Sequence, residues 1–489
     1  DAETMQLLLD LGAEAKDIGG VAIANAAGAD CMKCIDLLAG RNLDPMQATI
    51  ALLNLVLLDD PKPTRLMLQH GADVNAAGPS GRTALMYAAI SDLLPVEQVK
   101  LLIEKGANVN ARSQHQSSGD TGLTPLDLAK MHGNTALVDV LLKAGATSAT
   151  APVPIQPAFM RRGNTIETAV SASLSLLQRT DASFVPKAGC FSCHNQSLSA
   201  MAVALARKKG FRVDEQTAAQ QVKVNAGSLE GSRDLLHQGS FVPALNANPT
   251  ILAYALLGLD AEGYKPDLST DAVAMFIQTR QMADGHWAYG PEARPPLCAD
   301  TLGQTVLSMR ALQLYAPGRP GSMDQAVYAK SIQLAAAWIA EFQPRTNYDL
   351  AWRLQGLAWA GKTKDAALQA RRDLLAAQHA DGGWSDIRSM QSGAYTTGSA
   401  MLALESSGLP VTDPAYRRGV QYLLDTQMDD GSWHVRSRAA GFQPYFDNGF
   451  PHGVDQWISA ASTSLATIAL TLASQPAGVH TTVAALARR

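Results

Sequence analysis

The sequence predicts an all-α protein on three observations. Ala and Leu dominate a chain of 489 residues, and both favour helix. Two repeat systems fill the chain, one of about 33 residues and one of about 48, and each unit is long enough for a helix pair. Hydrophobic residues make up 47% and charged residues 17%, a balance that buries large cores and is not that of a disordered chain.

Length suggests two to four domains. A net charge of −4 gives no reason to expect nucleic acid or an anionic membrane as partner. No apolar run reaches membrane-spanning length. Asp1 falls inside a repeat unit, so upstream residues are expected, and the absence of a leader here says little. Five Cys are too few for a disulfide framework in a chain this long.

Residues 1–147 carry the shorter repeat. Gly71-Ala72-Asp73-Val74-Asn75-Ala76 returns as Gly106-Ala107-Asn108-Val109-Asn110-Ala111, with Gly12-Ala13-Glu14 and Gly145-Ala146-Thr147 as further copies. Each follows an apolar helix, and its glycine stands where the helix must stop and reverse. Residues 81–89 and 122–129 supply the other helix. These residues resemble ankyrin repeats, about four or five of them. One such pair cannot bury its apolar face alone, so the units stack into a solenoid whose concave face would dock a protein partner. Cys31 and Cys34 lie in a degenerate unit with no His after them. They read as an apolar helix face, with a surface disulfide as the alternative.

Pro152, Pro154 and Pro157 exclude a helix interior, so residues 148–164 read as an extended linker. The longer repeat occupies 165–489. Its marker is Gln281-Met282-Ala283-Asp284-Gly285-His286-Trp287, repeated at Gln378-His379-Ala380-Asp381-Gly382-Gly383-Trp384 and Gln427-Met428-Asp429-Asp430-Gly431-Ser432-Trp433. Gln178–Phe184 and Gln343–Trp352 read as worn copies. In each marker the Gln is placed to bond an exposed helix terminus of the next pair, and the Trp to pack over the turn. The markers resemble the repeats of squalene–hopene cyclases and, more loosely, of protein prenyltransferase β subunits. That resemblance implies an (α/α)6 toroid, so the expected fold is an ankyrin solenoid followed by a toroid.

Cys190-Phe191-Ser192-Cys193-His194 is the stretch that names a cofactor. Two thiols three apart can form thioethers to porphyrin vinyls, and the adjoining imidazole can reach the iron. The spacing resembles that of c-type cytochromes. The resemblance implies one covalent haem c on Cys190, Cys193 and His194, and an extracytoplasmic, periplasmic setting in a bacterium. Half of a zinc site, a redox dithiol and a chance pairing remain alternatives; a zinc site wants a second Cys/His pair, and none is evident.

The segment falls in the loop that leads into an inner helix. In the same register, Cys298, Asp300, Tyr395, His452 and Asp455 would face it from the rim of a central cavity. His452 is the first choice for a second axial ligand and His237 the next.

Squalene–hopene cyclases protonate their substrate with an Asp-x-Asp-Asp cluster. Cys298-Ala299-Asp300-Thr301 keeps one of those Asp residues, which counts against triterpene cyclisation. Cys298, Asp300 and His452 contain the residue types of a prenyltransferase zinc site in reversed order; a helix cap at Asp300 and a buried thiol at Cys298 read better. No phosphate loop, Ser-His-Asp order or His-Glu-x-x-His occurs.

The leading expectation is an exported c-type haem protein that transfers electrons to or from a redox enzyme docked on the ankyrin repeats. A haem-bearing toroid enzyme for an apolar, terpenoid-like substrate is the second reading. A scaffold that only binds protein is the third.

Overall fold

The computed structural model describes residues 2–14, 19–28, 31–41, 43–114, 121–149, 163–188, 192–240, 248–288, 294–297, 301–316, 323–361, 364–439 and 445–474. The described residues are all-helical, with one isolated β-bridge between Ala77 and Thr83. No helix among them is long and apolar enough to cross a membrane.

Among the described residues nine α-helices form the N-terminal stack: α1 (Ala2–Asp10), α2 (Gly19–Gly28), α3 (Met32–Ala39), α4 (Pro45–Leu55), α5 (Pro61–Gln69), α6 (Ala84–Ile90), α7 (Val96–Glu104), α8 (Pro125–Ala129) and α9 (Ala136–Lys143). Successive pairs share one apolar core built on residues such as Leu52, Leu85, Leu102 and Leu137. The repeat loops are cross-linked by asparagine. Asn75 accepts from the Asn108 amide at 2.7 Å and donates to the Gly106 carbonyl. Asn110 accepts from the Thr147 amide and donates to the Gly145 carbonyl one unit later. Cys31 and Cys34 are joined as a disulfide, which corrects the expectation of an unbonded core pair. Cys31 stands at the N-cap of α3, not inside the helix, and there its sulfur can reach Cys34.

Six helix pairs follow among the described residues. The outer helices are α10 (Ile166–Ala188), α12 (Glu215–Glu230), α15 (Leu268–Gln278), α17 (Met323–Glu341), α19 (Lys364–Ala376) and α21 (Pro414–Thr426). The inner ones are α11 (Leu198–Lys208), α14 (Pro249–Ala261), α16 (Thr301–Tyr315), α18 (Asn347–Ala360), α20 (Ala394–Ser406) and α22 (Gln456–Ala473), and a short α13 (Arg233–His237) lies between α12 and α14. Each inner helix packs on the next, and α22 packs back on α11, so the ring closes into an (α/α)6 toroid.

The marker residues hold each hairpin in three directions. The Trp indole donates to a carbonyl of its own outer helix: Trp287 to Ile277 at 2.7 Å, Trp384 to Leu374 at 2.8 Å, Trp433 to Leu423 at 2.9 Å. The same Trp's backbone N–H donates to a threonine on the inner helix: Thr305, Thr397 and Thr463. The marker Gln bridges its own turn to the next outer helix, as Gln378 does to Gly382 and Ala415. Gln427 makes the matching bond from the last repeat to Ala169 in the first at 2.9 Å, which ties the ring shut.

The marker glycine has a left-handed φ of 90° at Gly382, and a Cβ there would sit 2.5 Å from the Arg418 carbonyl oxygen on the next outer helix. Gly382→Ala therefore combines backbone strain with overpacking and is expected to cost at least about 2 kcal/mol. A fall in the urea midpoint with an unchanged m-value checks this.

Two markers depart from the sequence reading. α10 runs unbroken from 166 to 188, so Phe184 lies inside a helix and not after a turn. Gln178 still binds Asp214, the N-cap of α12, through both its amide groups at 2.8 Å. Trp352 lies inside α18 and lines the central cavity, because the expected turn before it is taken up by that helix.

The stack and the toroid meet through buried charge. Arg438 bonds Asp92 at 2.7 and 2.9 Å and Asp386 at 2.8 Å. His132 reaches the same Asp92 at 2.9 Å, and Arg82 donates to the Arg438 and Ala439 carbonyls. Arg438, Asp92 and His132 side chains are 3% exposed or less. Burial would raise the Asp92 carboxyl, but the Arg438 charge and the hydrogen bonds from His132 and Arg438 hold it down at about 2.

Candidate functional site

The inner helices line an apolar cavity, partly open to solvent, with about 460 Å³ of non-atom space including that opening. All six contribute: Leu198 from α11, Tyr254 from α14, Leu307 from α16, Trp352 from α18, Tyr395 from α20 and Leu465 from α22. Trp359 and Gln355 add an aromatic face and an amide from α18. Among the described residues no charged side chain is in the lining. A solenoid's shared core would leave no such space; the toroid has it because its inner helices close on themselves around an axis.

One end of this chamber is the rim where the inner helices begin. Cys193–Ser197 forms a π-helical turn leading into α11. Ser192 and Gln196 hold that turn reciprocally: the Ser192 hydroxyl accepts from the Asn195 amide, and the Gln196 side chain accepts from the Ser192 amide. His194 is buried, 5.7 Å from the Phe184 ring and 5.9 Å from the Trp457 ring, both edge-on. Its Nδ1 lies 2.6 Å from Asn195 Oδ1. Burial first, then the Arg294 charge, push the His194 imidazole down to about 3, so it is neutral at physiological pH. Behind it, burial holds the Asp181 carboxyl well above the usual carboxylate range, opposed only by a hydrogen bond with Gln196. Sequence reasoning placed Asp181 in a turn, where nothing would mark it as a buried acid.

The residues expected to hold haem are described only in part. Cys190 lies outside the described residues. Cys193 is 2% exposed within the toroid core, and His194 has aromatic edges and an amide around it. His452 bonds Ser432 Oγ through Nε2 at 2.7 Å and stacks on His434 at 4.6 Å; burial and His434 lower its pKa. Asp455 is bound to His434 Nε2 at 2.8 Å and to the Ser437 amide. Both therefore build the loop after the last marker. His237 is exposed on α13. Tyr395 lines the chamber. Cys298 and Asp300 lie outside the described residues, immediately before α16.

Residues 26–151 match the family model for ankyrin repeats in three copies. Over 196 residues the chain is 32% identical to a copalyl diphosphate synthase of Streptomyces cyslabdanicus. That alignment covers 38% of this chain and 31% of the relative, so the chain spans under a third of the relative's length. Among solved structures it is similar to the type II terpene cyclase MstE from Scytonema, with 12% identity and a TM-score of 0.41 over 63% of this chain and 97% of that one. A protein from Actinoplanes has 13% identity and a TM-score of 0.40 over 62% of this chain and all of the other.

The protein is thus all-α, an ankyrin-repeat stack joined to an α/α toroid with an apolar chamber. The expectation of a haem protein acting in electron transfer is corrected. The curated relative is a copalyl diphosphate synthase, and the Cys193–His194 segment is packed as part of the toroid's rim. Ankyrin repeats are protein-docking modules, and part of this stack's surface is already taken by the toroid itself.

Proposed function

We propose that the toroid is a terpene-cyclase-like enzyme whose chamber folds a linear isoprenoid chain. The observation that carries this is the chamber's lining: among the described residues, apolar side chains from all six inner helices, with Tyr254, Trp352, Trp359 and Tyr395 among them. Cyclisation of an alkene chain runs through carbocations. Such cations need walls that exclude water and nucleophiles, and aromatic faces stabilise positive charge. The reaction is an isomerisation. A proton adds to one alkene carbon, successive π bonds become ring C–C bonds, and a proton leaves the final cation. The similarity to a copalyl diphosphate synthase supports the same reading.

The acid in this proposal is Asp300, at the position kept from the Asp-x-Asp-Asp pattern and directly before inner helix α16. Cys298 and Thr301 stand where that pattern has two further carboxyls. Their presence favours one second reading, a chamber that binds an isoprenoid without turning it over.

Incubating the purified chain with a linear prenyl diphosphate isomeric with copalyl diphosphate separates the two. Turnover gives products of unchanged mass and fewer double bonds, lost in Asp300→Asn. Binding with no product supports the second reading, and neither binding nor product contradicts both. The ankyrin stack would bring a protein partner to this enzyme. The Cys31–Cys34 disulfide supports an oxidising, extracytoplasmic setting.

A further inference from the structure

Cys31 and Cys34 stand one turn apart at the start of α3 and are joined as a disulfide. The two residues are placed differently. Cys31 is the N-cap residue and is half-buried. Cys34 lies inside the helix, 3% exposed, in the core that runs through the stack. Of the pair, Cys31 carries the surface that faces solvent. The bond spans a separation of three residues. A cross-link stabilises a fold by the chain freedom it removes from the unfolded state, and so short a loop removes the least. Structural support is therefore a weak reason for this bond. Exchange chemistry is a stronger one, since a Cys-x-x-Cys pair whose first sulfur stands at a helix N-terminus favours the reactive thiolate there.

We propose that Cys31–Cys34 is a thiol–disulfide exchange site whose co-substrate is a small thiol, with Cys31 as the exchanging sulfur. A thiolate attacks Cys31 Sγ, the S–S bond breaks, and Cys34 leaves as a thiolate that takes up a proton. A second thiol attacks the mixed disulfide and releases Cys31 as a thiolate, and the small thiol departs as its own disulfide. Two electrons pass from two thiols to the protein's pair. Cys34 stays packed in the core in either state, so the stack remains folded. In the oxidising setting proposed above the pair rests closed. The site lies in the ankyrin stack and does not depend on the chamber reading.

The test equilibrates the full chain with mixtures of reduced and oxidised glutathione, quenches with an alkylating agent and locates the label on each cysteine by mass spectrometry. The pair is expected to be closed in oxidised glutathione, to open in excess reduced glutathione and to close again when the ratio is reversed, with helical circular dichroism unchanged. A structural disulfide resists the glutathione pool. A pair that stays closed there, or that opens only with loss of helix, would overturn the proposal, as would two thiols that never close. Single variants assign the sulfur. In Cys34→Ser, Cys31 is expected to form the mixed disulfide with oxidised glutathione about tenfold or more faster than Cys34 does in Cys31→Ser. Equal rates, or a faster Cys34, would overturn the role given to Cys31. The titration of the unaltered protein needs no variant to fold.

Discussion

Arg438→Ala is expected to destabilise the protein by about 3–5 kcal/mol and to free the ankyrin stack from the toroid. Among the described residues, Arg438 is the one cation that pairs directly with both Asp92 and Asp386, at 2.7 and 2.8 Å, in a site closed to solvent. Removing it leaves two buried carboxylates without their shared counter-charge, the case in which breaking a buried ion pair costs most. Arg82 binds backbone carbonyls of the same loop and would keep those acceptors, so the loss reports the carboxylate pairs. Urea denaturation measures the loss, and faster proteolysis between residues 148 and 164 reports the freed stack.

A pH series tests the same cluster from the Asp92 side. The folded carboxyl sits near 2 against 3.8 for an unperturbed one. A depressed pKa contributes stability that is fully present above about 4 and is lost as pH falls through the folded value. The stability advantage of the unaltered protein over Asp92→Asn is therefore expected to be flat above about pH 4 and to shrink between about 4 and 2. An advantage that instead changed near neutral pH would point to a different group.

Trp384→Ala is expected to cost about 3–5 kcal/mol, the range for deleting a fully buried large aromatic side chain. The indole is 0% exposed. Its loss leaves a cavity between α19, α20 and α21 and takes the indole donor from the Leu374 carbonyl. Thr397 would keep its bond to the residue 384 amide, so Trp384→Phe, which restores most of the volume but not the N–H, should recover more than half of the loss. Thermal denaturation of the two variants checks this ordering.

The marker could be read from sequence because each of its residues has one physical task at a fixed offset. Gly382 needs a left-handed backbone against Arg418, Trp384 reaches back to Leu374, and Gln378 spans its own turn and the next helix. Their threonine partners were not legible. Thr305, Thr397 and Thr463 lie 18, 13 and 30 residues after their Trp, since the loops between differ in length, and no spacing marks them.

The chamber was legible in outline. Tyr395 was placed by register, but Gln355 and Trp359 were not, because a helix inside a toroid is apolar on most sides and its sequence does not show which side faces the axis. The Cys-x-x-Cys-His spacing gives a chemistry but no surroundings. Phe184, Trp457 and Asn195 around His194 come from three separate elements and decide how that histidine is held. The Asp92–Arg438 contact joins residues 346 apart, and nothing local to either predicts it.

Photo-crosslinking tests the central claim most directly: a benzophenone-bearing farnesol irradiated on the full chain, with the labelled peptides identified by mass spectrometry. A chamber that holds an isoprenoid chain predicts label on α18 and α20, within 351–359 and 395–402, displaced by excess farnesol. Label confined to the ankyrin helices or the outer face of the toroid, or label that farnesol does not displace, would contradict it.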